Sequence, residues 1–80
     1  MYKLQSILFP KKIYNFSKAI NFLIKYNYNP KKFHETENYY RFRFYNPSYL
    51  KSKGYNRIRT KKISKGILLV LFYYQKKNKK

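Results

Sequence analysis

The chain has 80 residues, of which 20 are Lys or Arg and only 2 are Asp or Glu, giving a formal net charge of +18. This length admits one small domain near the lower limit for a single hydrophobic core, and the absence of cysteine excludes disulfides and thiolate metal sites as staples. An aromatic fraction of 22% excludes a disordered basic tail and makes the 11 Tyr and 7 Phe the expected core material.

In chain order, "KLQSILF" (3–9) reads as a short strand with Leu4, Ile7 and Phe9 apolar, ended by Pro10 and the Lys11–Lys12 pair. "NFSKAINFLIKYN" (15–27) places Phe16, Ala19, Ile20 and Leu23 at i, i+3, i+4 and i+7, one apolar face of a helix. Asn15 is the expected N-cap, with Ser17 as the alternative, and Asn27, Asn29 and Pro30 end the helix. From Phe33 to Tyr45 the period changes to 2, which predicts a strand with Tyr40, Phe42 and Phe44 on one face. Tyr39, Arg41, Arg43 and Tyr45 fall on the other. "NPSYLKSKG" (46–54) is a connection with a helical turn near Ser48 to Leu50. "YNRIRTKKI" (55–63) alternates again, with Arg57, Arg59 and Lys61 on a common face. "SKG" is a tight turn, and "ILLVLFYY" (67–74) is a strand apolar on both faces.

The expected architecture is α+β: one helix packed on a small, mostly antiparallel sheet, in the order β-α-β-β-β. Residues 1–75 form a single small basic domain in this reading, and 76–80 a flexible basic tail. The helix is expected to cover Tyr40, Phe42, Phe44 and Ile58. With the 33–45 and 55–63 strands as neighbours, Arg41, Arg43, Arg57 and Arg59 gather with Lys61 on the uncovered face.

Catalytic constellations are absent. Glu35 and Glu37 are the whole carboxylate inventory, too few for a two-metal nuclease site, and on a strand they read as a solubilising edge. His34 is the only histidine and reads as a surface residue at the start of a strand. Gly54 and Gly66 read as turn residues, so no glycine-rich phosphate loop exists. No enzyme, cofactor or metal is expected. Part of the lysine excess is ascribable to the codon usage of an A+T-rich genome, because Lys, Asn, Tyr, Ile and Phe dominate throughout. The arginines are different: all four fall between residues 41 and 59. Arginine's planar fork binds phosphate in a bidentate manner that lysine cannot imitate.

The succession "ILFPKK", "KAINFLIKY", "YYRFRFYNP" and "RIRTKKISKGILLVL" resembles a small basic α+β domain of large DNA viruses and tailed phages, over roughly residues 4 to 72. Its most specific parts are Tyr40-Arg41-Phe42-Arg43 and Arg59-Thr60-Lys61 with Gly66-Ile67. Pro10 stands where that pattern has an acidic residue and Phe44 where it has Gln. The resemblance implies a viral origin and a shared compact fold, and carries no activity with it.

The expected function is non-sequence-specific binding of nucleic acid, DNA rather than RNA, through a sheet face bearing Arg41, Arg43, Arg57, Arg59, Lys61, Tyr39 and Tyr45. The arginines clamp phosphates in this reading; otherwise they are a solvated face. Tyr39 and Tyr45 either stack bases or pack across strands. The RNA-recognition-motif signature is missing, since the chain has neither its two helices nor its small strand residues. The alternatives are a virion structural or assembly protein with an acidic protein partner, and an RNA-binding organellar ribosomal protein. The longest apolar run, "GILLVLFYY", is half the length of a membrane span, and no signal peptide is expected. The expected location is the virion or the host nucleus or cytoplasm.

Overall fold

A computed structural model describes residues 1–75; the basic tail expected over 76–80 lies outside the described residues. The elements are β1 (Tyr2–Pro10), α1 (Phe16–Lys25), β2 (Lys32–Glu35), β3 (Tyr39–Arg43), α2 (Pro47–Ser52), β4 (Tyr55–Lys62) and β5 (Leu68–Tyr74), with a 3-10 turn at Ser64–Gly66 before β5. The fold is α+β: a five-stranded sheet in the order β2-β3-β1-β5-β4, every pairing antiparallel, with one main helix and a second short one.

The helix caps follow the sequence. The Asn15 side chain accepts a hydrogen bond from Lys18 N at 2.8 Å, which satisfies one of the donors left free at the start of α1. At the other end Asn27 takes a left-handed φ of 60°, Tyr28 N donates to Leu23 O and Asn27 N to Ile24 O, the pairing of a Schellman cap. Asn46 caps α2 by accepting from Ser48 N, and Pro47 fills the first turn, where no amide donor is required.

Ala19 and Leu23 of α1 seal one face of the sheet against Ile7, Phe9, Phe42 and Ile67, all buried, with Ile20, Phe22, Tyr40 and Phe44 packed around them. Phe9 sits at the centre of this core, in edge contact with Tyr14, Phe22 and Phe42. The aromatic phase read for Tyr40, Phe42 and Phe44 is therefore the one the fold uses.

Three features of the strand layout differ from the expectation. The strand read as continuous from Phe33 to Tyr45 is a hairpin, because the Thr36 hydroxyl and amide both bond to Tyr39 and turn the chain at Thr36–Asn38. The element order is consequently β-α-β-β-α-β-β rather than β-α-β-β-β. Finally, β3 and β4 are not neighbours: β1 and β5 lie between them. The two most apolar strands take the protected centre, and the charged β2 and β4 are left as edges, where charge discourages unwanted pairing.

The second helix covers the other side of the sheet. Leu50 of α2 packs with Tyr55 and Phe72, with Tyr45 and Val70 against them. Ile58, expected beneath the main helix, pairs with Phe72 on this α2 side and is 52% exposed.

Two breaks in register decide which side chains face where. In β1 the pairing with β5 shifts between Leu4 and Ser6, a bulge at Gln5. In β4 it shifts between Tyr55 and Arg57, a bulge at Asn56. A bulge offsets the strict alternation of a strand by one residue. Tyr55 therefore points to the α2 side while Arg57, two residues on, points to the α1 side.

Candidate nucleic-acid interface

Side chains paired across an antiparallel ladder share a face. Ile7 pairs with Phe42 beneath α1, so the alternate pairs Ser6–Arg43, Leu8–Arg41 and Pro10–Tyr39 lie on the opposite side. In the next ladder Lys32 pairs with Arg43 and His34 with Arg41, on that same side. The uncovered half of this face therefore carries Lys32, His34, Arg41 and Arg43 as cross-strand neighbours. Like charges placed directly opposite destabilise a sheet, so this arrangement carries an electrostatic cost inside the free protein.

No acidic side chain among the described residues relieves it. Glu35 lies on the α1 side, ion-paired with Lys11, and Glu37 is exposed in the β2–β3 turn. The floor is neutral and polar. Gln5, pushed out of alternation by its bulge, is fully buried, as is Ser6. Gln5 Nε2 donates to Tyr45 O at 2.8 Å, and Ser6 Oγ donates to Gln5 Oε1 at 2.9 Å. Arg41 reaches the same Oε1 through a long contact of 3.4 Å. The Nε atoms of both Arg41 and Arg43 are buried without a hydrogen-bond partner among the described residues. Burial, and secondarily the charge of Arg43, pushes the Arg41 guanidinium below its ordinary pKa. These two forks are held by a rigid strand, partly dehydrated and short of acceptors, which is what an arriving phosphate supplies.

Tyr45 continues this row toward α2. Its ring lies parallel to that of Tyr49 at 6.5 Å, and Lys3 Nζ stands 5.6 Å from its centroid. Tyr45 therefore already has packing partners, while Tyr39 is half-buried at the far end of the row, paired with Pro10. A shallow pocket lined by Lys31, Lys32, Arg43, Phe44, Tyr45 and Asn46 opens beside Arg43.

Arg57, Arg59 and Lys61 are elsewhere. They pair with Tyr73, Leu71 and Leu69 of β5, and Leu69 pairs with Ile7, which places all three cations on the α1 side at the β4 edge. The expected single cluster of arginines is thus two groups on opposite faces. The face read in common for Arg57, Arg59 and Lys61 does hold; its assignment to the side of Arg41 and Arg43 does not. The cause is β5, which is apolar on both faces and so gives no signal for the phase of the strand beside it.

Sequence reasoning missed Gln5, Lys32 and His34. The last two follow from strand alternation once the Thr36 turn is recognised. Gln5 leaves no such trace, because a bulge is needed to bring it under the arginines. No family model matches this chain, and no curated protein and no solved structure matches it.

Proposed function

We propose that this is a small nucleic-acid-binding protein, without sequence specificity, whose principal contact is the phosphate backbone at Arg41 and Arg43. The observation that carries this reading is the pair of guanidinium groups set side by side on β3, whose buried Nε atoms lack partners and whose face carries no carboxylate among the described residues. Lys32 and His34 widen the site, and the net charge of +18 draws a polyanion from a distance. Sheet faces with basic side chains suit backbone contact, and a row of forks fixed by a ladder loses little entropy on docking. The viral origin rests on the resemblance to a domain of large DNA viruses and tailed phages, and DNA is named over RNA because DNA is the genome of such a source.

The test is a mobility-shift panel with duplex DNA, single-stranded DNA and RNA of one length and sequence. Binding to DNA that weakens with added salt supports the reading. Preference for RNA moves it to the ribosomal alternative. One observation favours the other alternative, an assembly protein with an acidic partner: among the described residues the outer edge of β4 pairs with no strand over Tyr55–Lys62, and an extended acidic segment would fit it. Polyglutamate that competes as well as DNA at equal charge would select that partner.

A further inference from the structure

The distribution of arginines over two faces has a functional consequence that a single binding surface lacks. On the α1 side, Arg57, Arg59 and Lys61 project from alternate positions of an edge strand, spaced roughly 6.7 Å apart by strand geometry. Beside them run Leu71 and Tyr73, and Tyr73 contacts Tyr2 with ring centroids 5.4 Å apart. The three cations are exposed, and no acidic side chain pairs with them among the described residues. On the opposite side, three strands away in the sheet, stand Arg41 and Arg43. The path between them on that side is interrupted by α2, which packs over Tyr55 and Phe72. A duplex is stiff over about 150 base pairs, so one short duplex cannot turn round a sheet edge to reach both groups.

We infer that the protein is bivalent: it bridges two separate DNA duplexes, one seated on Arg41 and Arg43 and the other on the row Arg57, Arg59 and Lys61. This rests on the nucleic-acid reading above and adds a compacting or cross-linking activity to it. Capture of the second duplex by the first copy is an ordinary bimolecular event. Once one copy bridges two duplexes, every further bridge between them is intramolecular, so avidity grows along the paired duplexes without new contacts.

The test captures a fluorescent duplex on beads carrying a second, unlabelled duplex, with the full chain as the only link, at near-physiological salt. Simple binding is measured in parallel by anisotropy on a single duplex, and folding by circular dichroism. The wild-type chain retains the fluorescent duplex. The triple variant Arg57→Gln, Arg59→Gln, Lys61→Gln still binds one duplex but loses retention by about tenfold or more. The pair Arg41→Gln, Arg43→Gln also loses retention. A charge-matched control, Lys12→Gln, Lys18→Gln, Lys25→Gln, removes three exposed cations from outside both groups and leaves retention within about twofold of wild type. Changing Lys76, Lys77, Lys79 and Lys80 to Gln does the same. Equal loss in the lysine control or in the tail variant overturns the inference, because bridging is then a matter of total charge. Intact single-duplex binding with no retention by the wild-type chain also overturns it. Absence of any duplex binding is the failure of the underlying nucleic-acid reading and is recognised separately by anisotropy.

Discussion

Gln5 lies fully buried beneath Arg41, and its Oε1 receives both the Ser6 hydroxyl and the longer 3.4 Å approach of the Arg41 guanidinium. A neutral amide thus occupies the position where a structural ion pair would place a carboxylate. An acid there would neutralise the arginines from within. The amide touches Arg41 and leaves the charge of both guanidinium groups unneutralised.

Gln5→Met keeps the volume and removes the amide. Tyr45 O and Ser6 Oγ then lose their partners inside the protein, and a buried polar group left unpaired costs about 1–3 kcal/mol. Urea unfolding should show a loss of that size. Because Arg41 also loses its anchor, affinity for DNA should fall in the variant even where it remains fully folded.

Phe42 sits 2% exposed between Phe9, Phe33 and the α1 helix. Phe42→Ala should destabilise the domain by about 3–5 kcal/mol, a large share of what so short a chain has available. A thermal melt unchanged from wild type would mean that the aromatic face of β3 is not the buried one.

Charge and geometry separate in the double variant Arg41→Lys, Arg43→Lys. It conserves the net charge and removes the bidentate fork, so binding should weaken by about 1–2 kcal/mol at near-physiological salt. Neutralising Lys76, Lys77, Lys79 and Lys80 should act mainly at low salt. Equal or greater loss from the tail at near-physiological salt would reduce the β3 row to a wet strand face.

Salt itself gives an independent measure. With about five phosphates neutralised, log K should fall against log salt with a slope of roughly −4.5 on duplex and −3.5 on single strands. A slope near zero in a titration by anisotropy would point to a protein partner.

Gly54 closes α2 with φ of +97°, and a Cβ there would meet the Tyr74 ring at 2.6 Å. Gly54→Ala should cost about 1–3 kcal/mol through backbone strain and displacement of that ring. The loss should appear in hydrogen exchange at α2 and the Tyr55 end of β4 before it appears in α1.

Much of this fold is written in plain periodicity. Ala19 and Leu23 declare the inner face of α1, and Asn15 and Asn27 mark its ends, because a helix carries its start and stop chemistry locally. The alternation of Arg41 and Arg43 with Tyr40, Phe42 and Phe44 was equally legible, since one side had to be dry. Legibility ended where the decision was non-local. Strand order depends on which strands compete best for the centre, and "ILLVLFYY" satisfies either face, so it cannot reveal that Leu71 rather than Phe72 lies across from Arg59. The short α2 added a second apolar cluster on the side read as wet, and Ile58, paired with Phe72, falls on that side while remaining half exposed. The paired forks of Arg41 and Arg43 were thus readable, whereas their separation from Arg57 and Arg59 was not.

The bulge at Asn56 makes that separation robust to a small genetic change. Tyr55 is anchored against Leu50 on one side and Arg57 emerges on the other, with Asn56 spare between them. Loss of that single codon would make Tyr55 and Arg57 neighbours in a regular strand, and neighbours in a strand point to opposite faces. Arg57, Arg59 and Lys61 would keep Tyr73, Leu71 and Leu69 as partners and stay on the α1 side. The two-sided arrangement therefore outlives the irregularity that accompanies it, and lineages carrying this chain can lose the bulge without merging the two groups of cations.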